Sequence, residues 1–257
     1  MTLSKSKISF VQSLKQKKCR DESGLFLVEG NKIITEVLDS NFEVQLLIAT
    51  HSWVESNKKS LHKVQEIISV SESDIERVSL QKTPVGVVAV VKKKDNSIIE
   101  GDYLGELSLV LDEIQDPGNM GTIIRLADWF GIRHIFCSTN TVDIYNPKVI
   151  QSTMGAFLRC KVEYVDLSKF LKKHSELEGF NIYGAFLEGE NIYRSKLENK
   201  GFLVMGNEGS GISKEVQQHV TSKISIPSYP PSIASSESLN VAVATAVICS
   251  EFRRRMV

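Results

Sequence analysis

Two stretches of this 257-residue chain carry residue types and spacings that could do chemistry. In the first, an apolar run over 107–111 ends on acids and reads as a buried strand, and Asp116-Pro117-Gly118-Asn119 then breaks the chain. Beyond the break Met120, Ile123, Ile124, Ala127 and Phe130 recur at helical spacing. Gly121, Arg125 and Asp128 fall on the opposite face, so Arg125 points away from the core. Strand, Gly/Asn turn and helix start together make a place to receive a ligand above the strand's carboxyl end. The same residues also fit a capped strand–helix unit with an ordinary surface arginine. In the second stretch, a strand over 201–205 runs into Gly206-Asn207-Glu208-Gly209-Ser210-Gly211. This has the look of a phosphate cradle, yet it lacks the Lys-Ser/Thr of a P-loop and the spacing of a dinucleotide fingerprint. A dinucleotide-dependent oxidoreductase is excluded, because no Gly-rich turn follows the first strand of a βαβ unit with an acid downstream.

The remaining chemistry-bearing residues are scattered. Cys19, Cys137, Cys160 and Cys249 form no Cys-x-x-Cys pair, and His51, His62, His134, His174 and His219 stand at no ligand spacing, so neither a metal site nor a disulfide framework is expected. Lys+Arg and Asp+Glu both number 31, which removes any global field toward a polyanion. Charge is uneven locally: Lys5, Lys7, Lys15, Lys17, Lys18 and Arg20 precede the first acid, and Arg253-Arg254-Arg255 stand near the end. Each cluster suits either a solvated helix face or an RNA contact. The N-terminus has no apolar signal-like core and the apolar run 241–249 is too short to span a bilayer, so a cytoplasmic protein is expected.

The elements that must position these residues alternate between strand and helix. A basic amphipathic helix is predicted over 4–18, then strands over 24–30, 42–49, 66–70 and 84–91 with helices over 32–38 and 73–78, giving a small α/β domain. Lys92-Lys93-Lys94-Asp95-Asn96-Ser97 reads as the start of a linker. Further strands are predicted over 133–137, 161–165, 180–186 and 223–227, with helices from Asn146-Pro147 to about 157, over 168–177, after an N-cap at Ser213, and over 237–254. The last helix is apolar nearly all round and must be buried on several sides, within its own domain or against a second subunit.

Taken in order, Asn119-x-Gly121-x-x-x-Arg125, then Gly206-Asn207-Glu208-x-x-Gly211-Ile212, then Ile226-Pro227 followed by Ser238-Leu239-Asn240-Val241 form a trio, each at a strand's carboxyl end. The trio resembles the SpoU family of RNA ribose 2′-O-methyltransferases, of the SPOUT class. Phe26-Leu27-Val28-Glu29-Gly30 and Pro84-Val85-Gly86-Val87-Val88-Ala89 are similar to the L30e-like substrate-binding domain that often precedes that catalytic domain. The resemblance implies an L30e-like α/β/α RNA-binding domain over 1–94, a linker over 95–106, and a SPOUT α/β domain over 107–257 with a mostly parallel sheet and a C-terminal trefoil knot. It implies an enzyme that uses S-adenosylmethionine, held bent by the knot loops, to methylate a ribose 2′-hydroxyl in structured RNA, ribosomal RNA before transfer RNA. It also implies a homodimer through the catalytic domain, with no metal and no membrane.

By the same resemblance the catalytic set is Asn119, Arg125, Glu208, Ser238 and Asn240, and the cofactor set is Leu187, Met205, Gly206, Asn207, Gly211, Ile226 and Leu239. The family's usual role for the arginine is general base. A guanidinium with a pKa above about 12 holds no lone pair while protonated, so Arg125 is expected instead to anchor an RNA phosphate and stabilise the developing alkoxide. Glu208 is expected to orient Arg125 or take the proton through water, unless it is merely a first-turn acid on a helix dipole. Asn119 and Asn240 are expected to hold loops in place. The third segment departs from the family pattern: its loop is a few residues longer, lacks the expected glycine and carries Pro230-Pro231, which stiffens it. Two competing readings remain, a knotted RNA-binding or ribosome-assembly protein without catalysis and a SPOUT enzyme acting on a base nitrogen.

Overall fold

The structure, a computed structural model, describes residues 3–95, 97–229 and 238–256. The chain forms two compact units, one of residues 1–95 with 143–158 and the other of 96–142 with 159–257.

The first unit opens with α1 (Lys5–Ser13) and α2 (Lys17–Ser23) rather than one helix over 4–18. Ser4 caps α1, and the break has a clear cause: Arg20 Nη1 donates to the Leu14 and Lys15 carbonyls left free at the end of α1, each at 2.9 Å. There follow β1 (Leu25–Glu29), α3 (Asn31–Asp39), β2 (Val44–Thr50), α4 (His51–Asn57), β3 (Glu66–Val70), α5 (Glu72–Val78) and β4 (Val87–Lys92). The sheet order is β1-β4-β2-β3, with β2 and β3 parallel and the other pairs antiparallel. Leu25, Leu27, Leu46, Ile48, Val88 and Val90 join Val11, Leu14, Ile75 and Val78 in one cluster. Phe26, between two of them, faces the other way and packs on Phe42, Tyr145 and Phe157. Both faces are thus covered, which is why β1, β2 and β4 read as near-continuous apolar runs.

The second unit begins with β5 (Leu107–Leu111), α6 (Pro117–Trp129) and β6 (His134–Ser138). The chain then contributes α7 (Pro147–Thr153) to the first unit, against β1, and α7 stops short of 157 because Met154 (φ 51°) and Gly155 (φ 94°) take left-handed conformations. It returns as β7 (Lys161–Val165), α8 (Leu167–Ser175), β8 (Ile182–Asn191), β9 (Gly201–Met205), α9 (Lys214–Gln217), β10 (Ser222–Ser225) and α10 (Val241–Arg254). The six-stranded sheet runs β10-β8-β9-β5-β6-β7, and every pair in it is parallel. All carboxyl ends therefore lie on one edge. The strand order reverses between β5 and β9, the kind of switch point at which open α/β sheets bind ligands.

Two expectations change here. The turn at Asp116-Pro117-Gly118-Asn119 is the first turn of α6, not a loop before it: Asp116 caps the helix through Asn119 N (2.7 Å), and Pro117 fits the first turn because its missing N–H has no helical partner to lose. Gly121 is buried with Met120, Ile123, Ile124 and Ala127, although it was assigned to the solvent face, and α6 packs against α10. In turn α10 is not buried all round in the single chain. Val241, Ala242, Thr245, Ile248, Cys249 and Phe252 are buried while Val243 is half exposed. Glu237, the expected first residue of that helix, and Pro230-Pro231 lie outside the described residues.

Candidate active site

The three motifs meet at the carboxyl edge of the second unit's sheet, and side-chain amides join them. Asn119, in the first turn of α6 after β5, donates from Nδ2 to Glu208 Oε1 at 2.6 Å. Its Oδ1 accepts from Asn240 Nδ2 at 2.9 Å. Asn240 caps α10, its Oδ1 accepting from the Ala242 and Val243 amides. One line of hydrogen bonds thus runs from the loop after β9, through the start of α6, to the start of α10. A carboxamide is the right group for the middle of such a line because it donates and accepts at once.

The glycine loop after β9 is held from within. Asn207 Nδ2 donates to the Glu113 carbonyl (2.8 Å), and its Oδ1 accepts from the Gly209 (2.8 Å) and Ser210 (3.1 Å) amides. Asn207 and Gly211 also exchange backbone hydrogen bonds, with Gly211 at φ +70°. The amide donors of Gly209, Ser210 and Gly211 are therefore spent inside the loop, and the phosphate-cradle look of the sequence is not realised. Gly206 is demanded sterically, since a methyl there would overlap the Gly211 carbonyl carbon and the Ile212 nitrogen. Glu208 belongs to no helix, and α9 begins only at Lys214, so a first-turn role for this acid is ruled out. Ser213 stands at the N-cap of α9 but makes no side-chain cap.

Two acids that carried no role in the sequence reading fasten this loop to β5. Buried Asp112 accepts from Ser213 N at 2.7 Å, and Glu113, in a left-handed conformation (φ 56°), presents the carbonyl that Asn207 holds. Their signal in the sequence is only an acid pair closing an apolar strand.

Arg125 is exposed on α6 and makes no hydrogen bond or ion pair with any other described residue. It forms no hydrogen bond or ion pair with Glu208, whose Oε1 is held by Asn119. Ser238 is exposed two residues before the Asn240 cap. Among the expected cofactor residues, Met205 is buried at the end of β9 and Ile226 is half-buried just past β10. Leu187 and Leu239 are 74% and 48% exposed. Leu187 lies where β8 leaves register: β8 pairs with β9 only over 182–184 and rejoins β10 at Glu190.

The profile of the SpoU rRNA Methylase family matches residues 106–250, which contain all of these groups. The chain belongs to that family. An MRM3-like substrate binding domain profile matches residues 5–89. The chain is 28% identical to the 23S rRNA (guanosine(2553)-2′-O)-methyltransferase RlmP of Bacillus subtilis (strain 168), over 96% of each protein. Among solved structures it is similar to a TrmH-family protein of Porphyromonas gingivalis (TM-score 0.88, 39% identity, 99% of this chain and 100% of that one). It is also similar to the AdoMet-bound rRNA methyltransferase of Sinorhizobium meliloti (TM-score 0.87, 26% identity, 100% of this chain and 97% of that one).

For a SpoU chain the placement of its other cations matters, and most of those singled out in the sequence have structural partners. Arg20 is buried, Lys7 pairs with Glu66, Lys17 with Asp21, and Lys18 with Glu22. At the C-terminus Arg254 and Arg255 bind Glu251, Arg255 also donates to the Ser195 and Ile192 carbonyls, and Arg253 Nε donates to the Phe130 carbonyl. These arginines fasten α10, whereas Arg125 has no hydrogen-bond or ion-pair partner for its side chain among the described residues. The cysteines are free, and burial pushes the Cys160 and Cys249 thiols up to about 12, which makes them inert. No group of three His, Cys, Asp or Glu able to hold a metal is found among the described residues, and no helix among them is long and apolar enough to cross a membrane.

Proposed function

We propose that this chain transfers a methyl group from S-adenosylmethionine to a ribose 2′-hydroxyl of ribosomal RNA, working as a cytoplasmic homodimer. The observation that carries the reading is the Glu208–Asn119–Asn240 line, which draws the three family motifs to one sheet edge and leaves the Arg125 side chain, on the same helix as Asn119, without a partner among the described residues. The first unit serves as the RNA-binding domain and the second as the catalytic domain, with the trefoil knot belonging to the latter.

The residues at this edge fit such a cofactor. Leu187 and Leu239 stand exposed as apolar walls for an adenine, buried Met205 provides a floor, and the tight turn at Gly206 presents backbone at the strand end. The polar atoms of Asn207 are committed to the loop, so this residue and Gly211 shape the pocket, while Gly206, Ile226 and Leu239 offer backbone groups. Bound S-adenosylmethionine supplies an electrophilic methyl on a sulfonium whose leaving group is a neutral thioether.

This chain's own task is to present the 2′-oxygen in line with that methyl and to let its proton go. Arg125, fixed on a helix and without a partner among the described residues, binds the adjoining phosphate and stabilises negative charge growing on the oxygen. Glu208, held by Asn119, accepts the proton through water, and Ser238 donates to the ribose or its phosphate. Asn119 and Asn240 keep the loops registered and act as positioning residues. The half-exposed Val243 and its apolar neighbours on α10 form the homodimer contact.

The test is transfer of labelled methyl to RNA from a strain lacking the protein, with nuclease mapping of the product. Label in one ribosomal RNA nucleotide that resists alkaline hydrolysis at its 3′ side is expected. Arg125→Ala should lower kcat by roughly 100- to 1,000-fold with little change in stability, because the side chain is exposed and has no partner among the described residues. Label on a base, or full activity in Arg125→Ala, would sink the assignment.

A further inference from the structure

The first unit contains a cavity of about 690 Å³, remote in sequence from the three motifs of the catalytic domain. Trp53 of α4 lines it with Asn31, Asn57, Ile75, Glu72 and Glu76, and neither lysine nor arginine is part of its wall. We propose that this cavity receives one unstacked nucleobase of the RNA substrate, stacked on the Trp53 indole, a proposal that rests on the RNA methyltransferase reading above.

The chemistry of the wall selects the occupant. A phosphate is disfavoured, because two carboxylates face it and no cation neutralises it. A flat, neutral heterocycle with both donors and acceptors on its edge is favoured. Trp53 Nε1 donates to Asn31 Oδ1 at 2.7 Å, which fixes the indole and leaves the Asn31 amide nitrogen as a donor. Asn57 Nδ2 donates to the Trp53 carbonyl at 2.8 Å, which leaves Asn57 Oδ1 as an acceptor. The Glu72 and Glu76 side chains, one turn apart on α5, make no hydrogen bond or ion pair with another described residue and accept from base N–H groups. A guanine, with two adjacent donors for one carboxylate, suits them best. The size is in the range of small-molecule sites, about 300–1,000 Å³.

The surroundings supply the electrostatics that the wall omits. Lys32 directly follows Asn31, and Lys82 stands two residues before the lining Pro84. Both are exposed and form no ion pair with another described residue, unlike Lys7, Lys17 and Lys18. Cations adjoining the wall residues in sequence, for the backbone, and an aromatic with polar groups within, for the base, make the division of labour that single-stranded RNA recognition requires.

The test uses the full chain with Trp129→Phe, so that Trp53 is the remaining indole of the two in the sequence. Titration with deproteinised ribosomal RNA should quench its emission. In methyl-transfer kinetics Trp53→Leu should raise KM for RNA roughly 5- to 150-fold at unchanged kcat, whereas Trp53→Phe, which keeps a stacking face but loses the bond to Asn31, should stay within about threefold of wild type. A merely structural tryptophan would make the two variants alike, and that result overturns the proposal. So does emission that RNA leaves unchanged while methyl transfer proceeds. Quenching without methyl transfer by the wild type would instead uphold the pocket and refute the catalytic reading. Should Trp53→Leu fail to fold by circular dichroism, Glu72→Gln with Glu76→Gln replaces it: both positions are exposed, a raised KM supports the pocket, and an unchanged KM overturns it.

Discussion

In the first unit the segment 143–158 is fastened by charge: Arg20, 1% exposed, gives Nε and Nη2 to Asp143 Oδ2 at 3.0 and 2.6 Å and spends Nη1 on two carbonyls. In the second unit the functional loops are fastened by neutral carboxamides, Asn207 within the glycine loop and Asn119 and Asn240 between motifs. The two devices fail differently. A buried ion pair gains little over apolar packing, yet losing one partner strands the other charge in low dielectric. Carboxamides hold more weakly, but they leave Arg125 and Glu208 uncommitted to each other, as the proposed chemistry requires. Stability is concentrated in one unit's fastener and chemistry in the other's.

The largest effect that would break this contrast is in the first unit. Arg20→Met should cost about 3–5 kcal/mol of unfolding free energy in urea, because Asp143, with its side chain 10% exposed, loses its counter-ion and the end of α1 loses its donor. Adding Asp143→Leu should return much of that loss, since an apolar pair of similar volume replaces an ion pair at little cost. A single variant that loses less than about 1 kcal/mol would place Arg20 with ordinary surface pairs and erase the distinction.

Asn207→Ala should come next, costing about 1–3 kcal/mol by leaving the Glu113 carbonyl and the Gly209 and Ser210 amides without partners. Here calorimetric titration with S-adenosylmethionine should report weaker binding as well, because the loop that bends at Gly206 is no longer closed. Asn207→Asp sharpens the point. It keeps the acceptor for the two amides and loses only the donor to Glu113, so its loss of cofactor affinity should fall between wild type and Asn207→Ala. Equal binding by all three would detach this loop from the cofactor.

How far these devices were legible in the sequence differs in the same way. Leu107–Leu111 and Gly201–Met205 are found residue for residue where the sequence predicts them, because burial on both faces leaves a nearly unbroken apolar signal. The helices α2 and α4 were missed. Lys17–Ser23 and His51–Asn57 are short, polar and without an apolar stripe, and α4 buries no residue at all. The motif order marked the family, and the family match agrees with it. The bonds that build it were not readable: Asn207 reaches Glu113 across 94 positions and Ser213 reaches Asp112 across 101, and no local pattern announces such a partner. Arg20 misled for the same reason, since one more cation in a basic run gives no hint that it is buried against Asp143.

The smallest effect, and the one that separates the two devices most cleanly, is the dependence on pH. Neutral carboxamides do not titrate, so the loss of stability in Asn207→Ala should be the same at pH 7 and at pH 4. Carboxylates respond, and in opposite senses. Glu251 is held at about 2 by hydrogen bonds from Arg254 and then Arg255, well below the ordinary glutamate value. Its contribution is therefore complete above about pH 4.5 and fades as pH falls toward 2, so the gap in melting temperature between wild type and Glu251→Gln, worth about 1 kcal/mol because Arg254 is largely exposed, should close on acidification. Glu29 in the first unit is pushed up by burial, against hydrogen bonds from Ser79 Oγ and Leu80 N. A raised value means that its stabilising form is the protonated one, present below the ordinary glutamate range and lost as pH rises through the folded value, so wild type should gain on Glu29→Gln as pH falls. Melting curves of the three variants between pH 7 and 3 should diverge in these three ways. An Asn207→Ala offset that moved with pH would mean that a titrating group, not the amide, holds the glycine loop, and the division between charged and neutral fasteners would fall with it.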